Sequence, residues 1–448
     1  MLKKLFSSKK VRCGFGATLI TVMFIVFVLL VNTFVSVVTD KFPALNIDLT
    51  ANRQFEISAA TSEALKTIDK PVSMKLLLPG SEGEPMIEEF LNRYKQIKND
   101  IEITKINIEK NPAVAQKYEN VDPYGTLIIE IGDKYEALSV GSIYGSTGAM
   151  EKAESLITNG IMAASKGEKK TVYFTDGHGE MPAYGIAEVA AKNFYKYDVL
   201  DITKQKIENC DLLVIFCPDT DFTQGELAVI ESYVLDGGNL QIYLSPQNEY
   251  LPNLCEYIRE WGVDVKNQII AEKNSENVTQ TQQKMFIPVT EENSYTEGVT
   301  KTQYYVYAFK LDNLYSNTKG ITLYPVLKTT DKATTLDKEG DTGNIGAHII
   351  SMVSERVLDD NSIVKMYISG SSLLYENSDY MYNEELCQSV MTGILPSENY
   401  VKISDKQTQD TRLLMTGTDL AFIIIVIFLL AVGIIVCGIV IWSKRRKL

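Results

Sequence analysis

Two apolar stretches that contain no charged residue bracket the chain, one near each end. The first runs from Cys13 to Thr39 and the second from Leu420 to Ser443. Each is longer than the roughly 20 apolar residues that an α-helix needs to cross a bilayer. The sequence therefore predicts two transmembrane helices, with a long segment of chain between them.

Basic residues lie on the outer side of each apolar stretch. Residues 1–12 carry five lysines or arginines and residues 444–448 carry four, with no acidic residue in either tail. Because loops rich in Lys and Arg stay in the cytoplasm, both tails are predicted to be cytoplasmic and residues 40–419 extracytoplasmic. A cleaved signal peptide is the alternative for the first stretch. It is disfavoured because the stretch is longer than a typical h-region of about 7–15 residues and no small-residue cleavage site follows.

Charge and composition exclude several classes of function. Removing the nine positive charges of the tails from the net charge of −13 leaves the intervening segment near −22. Such a surface repels phosphate groups, so a nucleic-acid partner is not expected. The chain has only two histidines, His178 and His348, and no multi-histidine metal centre is expected. Four of the six cysteines lie between the stretches without a CxxC spacing, which favours buried free thiols over a disulfide framework.

The first part of the intervening segment predicts a small α/β domain. Residues 72–78 read as a strand, 86–97 as a helix with an apolar stripe, and 101–108 as a second strand. Residues 127–131 and 135–140 read as a strand hairpin. This β-α-β then β-β order predicts a thioredoxin-like shape, and the lack of CxxC argues against a redox role.

The second part predicts a larger, doubly wound α/β domain. Residues 212–216 (LLVIF) form the continuous apolar strand that a buried parallel sheet requires. Thr223 and Glu226 have the spacing of a capping box at the start of the helix that follows. Further strands and helices alternate at spacings that imply right-handed crossovers. A strand at 363–368 and a helix at 384–394 are predicted to rejoin the main sheet.

These readings together predict the following domain order. A cytoplasmic tail at 1–12 precedes a transmembrane helix at 13–39, a small extracytoplasmic α/β domain at 40–150, a larger extracytoplasmic α/β domain at 151–400 with a β-rich insertion at about 271–360, a linker at 401–419, a second transmembrane helix at 420–443 and a cytoplasmic tail at 444–448.

The loop Asp176-Gly-His-Gly-Glu180 is the most suggestive candidate site. It follows a predicted parallel strand, and open α/β sheets bind ligands at the carboxyl ends of such strands. Asp176, His178 and Glu180 could act as an acid/base set, as weak metal ligands, or as contacts to a ligand or partner. The alternative is a structural strand-to-helix turn, which the spacing of these residues favours over catalysis or metal binding.

Other catalytic signatures are absent from the sequence. Cys217 ends a strand, but the glycines of a nucleophile elbow do not flank it, and Ser245 lacks a G-x-S-x-G context. Gly370-Ser371-Ser372 reads as a plain turn rather than a phosphate site. No P-loop motif occurs, so the chain itself is not expected to hydrolyse ATP. We therefore assign no catalytic residue, metal or cofactor, and expect the chain not to be an enzyme.

Four loops are predicted to share one edge of the larger sheet. They are the segments 176–181, 217–222, 245–249 and 370–373, each placed after a predicted strand. The hypothesis is that they form a rim that contacts a partner or a solute.

Four strings resemble one known family when they are taken together. They are Leu49 to Ser58 (LTANRQFEIS), Thr61 to Pro71 (TSEALKTIDKP), Gly167 to Glu180 (GEKKTVYFTDGHGE) and Asp211 to Pro246. In this combination the chain resembles the auxiliary, substrate-binding-like subunit of gliding-motility-type ABC transporters. The resemblance covers roughly residues 1–270 and the second apolar stretch, and the third string is the most specific.

The resemblance implies an accessory protein of an ABC transport system. It implies that a separate permease subunit and a separate cytoplasmic ATPase subunit complete the system, and that the larger domain has an amidotransferase-like fold without its nucleophile elbow. It carries over no catalytic residue. Two other functions stay open: a membrane-anchored envelope hydrolase that uses the loop from Asp176 to Glu180, and a purely structural envelope protein.

Overall fold

A computed structural model describes most of the segment between the two apolar stretches. The described residues are 22–34, 55–80, 83–145, 150–167, 169–278, 285–300, 302–314, 320–337, 340–341, 345–372, 383–396, 400–403 and 406. Within these ranges no helix has both the length and the apolar character needed to span a bilayer. Of the first apolar stretch only 22–34 is described, as a helix with exposed side chains, and the second stretch lies outside the described residues.

The small domain is built on a four-stranded sheet. Its elements are α1 (Ala59–Lys66), β1 (Val72–Leu78), α2 (Pro85–Ile97), β2 (Ile101–Asn107), α3 (Pro112–Ala115), β3 (Thr126–Ile131), β4 (Lys134–Ser139), α4 (Val140–Tyr144) and α5 (Ala153–Lys166). The strand order is β2-β1-β3-β4, with β1 and β2 parallel and the other pairs antiparallel. The predicted β-α-β then β-β order is confirmed.

Helix α5 belongs to the small domain, because its apolar face packs on the small sheet. Ile157 and Ile161 on α5 share one core with Leu76, Leu127 and Ile129 of the sheet. The two cores therefore divide near Gly167, which ends α5 in the left-handed conformation, rather than at residue 150 as predicted. The periodicity of α5 predicted a helix correctly, but an amphipathic helix does not reveal which sheet its apolar face covers.

The larger domain is built on a mixed sheet. Its elements are β5 (Thr171–Asp176), α6 (Tyr184–Lys192), β6 (Lys196–Asp201), β7 (Leu212–Phe216), α7 (Gln224–Leu235), β8 (Asn239–Tyr243), α8 (Pro252–Glu260), β9 (Val263–Ala271), β10 (Met285–Phe286), β11 (Val289–Thr290), β12 (Tyr305–Val306), β13 (Phe309–Asn313), β14 (Ile321–Lys328), β15 (Thr334–Asp337), β16 (Gly340–Asp341), β17 (Ile349–Val357), β18 (Ile363–Ser369) and α9 (Glu384–Ile394). The main strand order is β16-β15-β9-β13-β17-β18-β8-β7-β5-β6.

One half of this sheet is the predicted parallel, doubly wound unit. Strands β6, β5, β7, β8 and β18 lie side by side in this order and are parallel to one another. Residues of α6 and α9 share a core on one face of the sheet, and residues of α7 and α8 share a core on the other. The last strand and helix rejoin this sheet, as the sequence predicted. The fold is mixed α/β.

The other half of the sheet is antiparallel and extends it from β18. Strand β17 pairs antiparallel with β18, β13 with β17, and β9 with β13. The β-rich character predicted for about 271–360 is confirmed, but β9, which precedes that range, was not predicted as a strand. Its mixed sequence (VDVKNQIIA) lacks the continuous apolar run of the parallel strands.

The four cysteines of the described residues are free thiols: Cys210, Cys217, Cys255 and Cys387. Burial raises the pKa of Cys210 to about 11 and the pKa values of Cys255 and Cys387 to about 12. Since the thiolate is the reactive species, we expect these thiols to react with iodoacetamide at pH 8 many-fold more slowly in the folded protein than in urea. Mass spectrometry of alkylated peptides measures this, and rapid native alkylation of Cys387 would contradict the buried placement.

Candidate functional site

The topology places a switch point at the carboxyl ends of β5 and β7. The chain passes from β5 to β6 on one side of β5 and later adds β7 and β8 on its other side. Strand order therefore reverses at β5, which lies between β6 and β7. Open α/β sheets form a crevice at such a point. The loop that follows β5 contains Asp176, His178 and Glu180, and the loop that follows β7 contains Cys217 to Phe222.

His178 is buried at this point and is held on both sides. Its side chain is 5% exposed, and its ring stacks on Phe222 with centroids 3.9 Å apart and planes inclined by 13°. Its Nε2 lies 3.3 Å from Oε2 of Glu226. Glu226 also accepts the backbone N–H of Thr223, at 2.7 Å, in the capping box that begins α7. The predicted capping box is therefore confirmed, and His178 contacts its glutamate.

Glu180 turns back toward its own loop. Its Oε2 accepts the backbone N–H of His178 at 2.7 Å, and its side chain is 4% exposed. Its Oε1 lies 3.6 Å from Nδ1 of His178, and neither atom has a hydrogen-bond partner among the described residues. The pair therefore faces inward, with its polar atoms turned toward each other and not toward solvent.

The backbone of the loop is fixed to the neighbouring loop. The carbonyl of His178 accepts the N–H groups of Asp219 and Thr220, both at 2.9 Å. Gly177 and Gly179 have φ of 117° and 74°, which non-glycine residues rarely adopt. The two glycines allow the turn that buries His178 beneath the loop after β7.

Asp176 does not join the other two predicted residues. It is exposed at the end of β5, whereas the side chains of His178 and Glu180 are only 5% and 4% exposed. The three side chains do not converge on an open pocket, and the described residues contain no cluster of three His, Cys, Asp or Glu side chains that could hold a metal ion. Nothing in this geometry favours the hydrolase alternative.

The described residues of the four predicted rim loops, 176–181, 217–222, 245–249 and 370–372, follow neighbouring strands of the sheet, and they are packed against neighbouring segments. The side-chain amide of Asn248 donates to the carbonyls of Cys217 and Pro218, both at 3.1 Å. The hydroxyl of Ser371 donates to the carbonyl of Val306 at 3.0 Å, which places the fourth loop beneath strand β12. Ser245 is buried as well. The loops thus stabilise the edge through mutual hydrogen bonds.

A polar cleft of about 330 Å³ lies where the two domains meet. Helices α5, α6 and α9 line it, together with residues 297–300 and 400–403. At its centre Glu384 on α9 lies 2.6 Å from the ammonium groups of both Lys152, next to α5, and Lys192 on α6. This cleft could not be predicted from the sequence, because Glu384 lies 232 positions from Lys152 and 192 positions from Lys192.

The charges in the cleft balance one another. Burial alone would raise the pKa of Glu384, but Lys192 and Lys152 lower it below the ordinary range. Burial alone would lower the pKa of Lys192, but Glu384 and Glu188 raise it. This network ties the two domains together across a polar interface.

A protein-family model matches part of the larger domain. Residues 169–341 match the family model described as an ABC-type uncharacterized transport system. The match runs from β5 to β16, and it supports an auxiliary component of an ABC-type transport system. Such a system implies permease and ATPase partners in general terms. No curated protein matches the chain.

Solved structures with similar folds are distant. They include the mmIFT52 N-terminal domain (14% identity, TM-score 0.39, 51% of this chain and 99% of that one), a glutamine amidotransferase from Thermotoga maritima (8%, 0.29, 51% and 100%) and a ThuA-like protein from Parabacteroides merdae (10%, 0.31, 53% and 92%). The chain thus has amidotransferase-like structural neighbours in a mixed α/β fold.

Proposed function

We propose that the chain is a membrane-anchored, extracytoplasmic accessory component of an ABC-type transport system, and that it is not itself the ATPase. The observation that carries the proposal is the match of residues 169–341 to the transport family, over the doubly wound domain. A separate permease subunit and a separate cytoplasmic ATPase complete the system. The four strings quoted above point to the gliding-motility type of such systems.

The sequence supports the proposed location. The two apolar stretches have the length of membrane spans, and both basic tails lie on the same side in a two-span topology. The acidic segment between them then faces away from the cytoplasm. In this arrangement the two spans hold the folded body beside the permease.

The geometry at the switch point favours a scaffold over a catalyst. A general base must reach a substrate proton within hydrogen-bond distance, but His178 and Glu180 are buried and turned toward each other. We propose that the larger domain acts through binding contacts at its surface.

Co-purification tests the proposed partners. The full chain, tagged at its C-terminus and cross-linked in its native membrane before solubilisation, should bring down an integral permease and a P-loop ATPase in comparable amounts. Mass spectrometry identifies them. Recovery of the chain without any P-loop ATPase, under conditions that preserve other ABC complexes, would reject the transport assignment.

A thiol-accessibility arm of the same experiment tests the topology. Tyr124 is 84% exposed, and the described native thiols are largely buried, so Tyr124→Cys gives a reporter in the small domain. An impermeant maleimide should label it in sealed right-side-out vesicles, whereas Lys447→Cys in the tail should react only after permeabilisation. The reverse pattern would place the body inside the cytoplasm.

A further inference from the structure

Two short segments, one at each end of the folded body, lie on the same patch of the small domain. We define the N-terminal stem as residues 55–58, which come after the first apolar stretch. We define the C-terminal stem as residues 400–403 and 406, which come before the second. Both stems contact helix α5.

Glu154, in the first turn of α5, is the residue that both stems share. Its side chain is 2% exposed. Its Oε1 accepts the backbone N–H of Ser58 and the hydroxyl of Thr61, both at 2.7 Å. Its Oε2 lies 3.0 Å from the ammonium group of Lys406. One buried carboxylate therefore contacts the N-terminal stem through a hydrogen bond to one oxygen and the C-terminal stem through an ion pair to the other, which forms no hydrogen bond with the described residues.

Lys406 reinforces the junction with contacts of its own. Its ammonium group donates to the backbone carbonyl of Glu56, and its backbone N–H donates to the carbonyl of Glu151 at 3.0 Å. The ammonium group also lies 5.4 Å from the centre of the Phe90 ring on α2. Lys406 thus touches the N-terminal stem, α5 and α2 at once.

The C-terminal stem continues from this junction into the interdomain cleft. Asn159 on α5 pairs with the backbone of Val401 in both directions, at 3.2 and 2.6 Å. Lys402 donates to the carbonyl of Glu297 in the larger domain, and Tyr400 and Lys402 line the cleft. A displacement of this stem therefore acts on both walls of the cleft.

The charge of Glu154 depends on these partners. Burial alone would raise its pKa, but the hydrogen bonds from Ser58 and Thr61 and the charge of Lys406 lower it below the ordinary value. A buried carboxylate stays ionised only when it is paired and hydrogen-bonded. The contacts from the two stems therefore help to keep Glu154 ionised on α5. Release of either stem would remove part of the compensation of this buried charge.

We propose that Glu154 and Lys406 form a stem clamp, which fastens both membrane-proximal ends of the body to one patch of the small domain. The clamp is the joint through which movement of the second apolar stretch reaches the interdomain cleft. Its membrane role rests on the proposed function. Thirteen residues separate Lys406 from Leu420. At about 3.5 Å per extended residue, the patch lies within about 50 Å of the end of that stretch.

Limited trypsin digestion of the detergent-solubilised full chain tests the clamp. In the wild type, cleavage after Lys402 and Lys406 should be slow, because the C-terminal stem must open before the protease can bind it. Glu154→Gln keeps the shape but removes the charge, and we expect cleavage after Lys406 to become about tenfold faster, since proteolysis tracks the population of the open form. Mass spectrometry of the released C-terminal fragment measures the rate.

Two controls make the outcome decisive. In Glu63→Gln, a substitution at an exposed position on α1, trypsin should cleave after Lys406 at the wild-type rate. Cleavage after the exposed Lys204 should not change in any variant. If Glu154→Gln fails to fold and all sites are cut together, the Lys406→Gln variant is used instead. Its rate of cleavage after Lys402 is then the measurement. Cleavage at wild-type rates in every folded variant overturns the clamp.

The outcome is separable from that of the proposed function. The digestion uses the isolated chain and needs no permease or ATPase, so absence of those partners in co-purification leaves the clamp intact. Conversely, the chain could recruit both partners while its Glu154→Gln variant is cleaved at the wild-type rate. That result would support the transport role and reject the clamp.

Discussion

Replacing Gly370 with alanine is expected to destabilise the larger domain by about 3 kcal/mol, at the upper end of overpacking substitutions. A Cβ at this position would lie 2.4 Å from the backbone oxygen of Phe309, and a backbone atom cannot turn away as a side chain can. Gly370 also accepts the N–H of Phe309 at 2.8 Å and donates to Ile350 at 2.9 Å. The substitution therefore strains the seam between β18 and the antiparallel strands.

Chemical denaturation of the full chain in detergent measures this change in the free energy of unfolding. Gly346→Ala is the matched control, because a Cβ there meets no atom within 4 Å. It should leave the unfolding midpoint near that of the wild type. Equal midpoints for the two variants would show that the seam at Gly370 is not as tightly packed as described.

Replacing His178 with alanine is expected to cost about 2–3 kcal/mol of folding free energy, because a buried ring and its hydrogen-bonding role are lost together. The ring stacks on Phe222 and contacts the capping residue Glu226. Its removal leaves Glu180 buried beside a cavity. The unfolding midpoint in denaturant measures the loss.

The control for this prediction is Asp176→Ala, in the same loop but exposed. It should change stability little, since surface substitutions are usually within about 0.5 kcal/mol of the wild type. If the role of His178 is structural, His178→Ala is therefore clearly less stable than Asp176→Ala. If His178→Ala folds with wild-type stability yet loses its partners or its transport activity, the residue acts in recognition.

Local sequence patterns predicted the elements of this protein well where burial repeats at a regular interval. Strand β1 and helix α9 lie where apolar periodicity predicted them. A period of two or 3.6 residues depends only on residues that are close together in the sequence. The capping box of α7 was predicted for the same reason, since Thr223 and Glu226 are three residues apart. The doubly wound half of the sheet followed from these elements in order.

Strand β9 and the assignment of α5 required the tertiary structure. Strand β9 is mixed in polarity because it lies in the antiparallel half of the sheet, where its neighbours are β13 and β15. Whether α5 covers the small sheet or the large one depends on chain direction after Gly167, and its own periodicity is the same in both cases. The candidate loop shows the same limit, because a spacing of two residues from Asp176 to His178 does not reveal that one is exposed and the other buried.

The sequence by itself determined the two apolar ends, the acidic body, the alternating elements and the absence of nucleotide-binding and nucleophile motifs. These depend on composition or on residues close together in the chain. Only the tertiary structure decided that His178 faces inward, that Glu384 joins two lysines across the cleft, and that Glu154 meets Lys406. Those contacts join residues from 48 to more than 250 positions apart, or depend on how the loop is packed, and no local pattern encodes them.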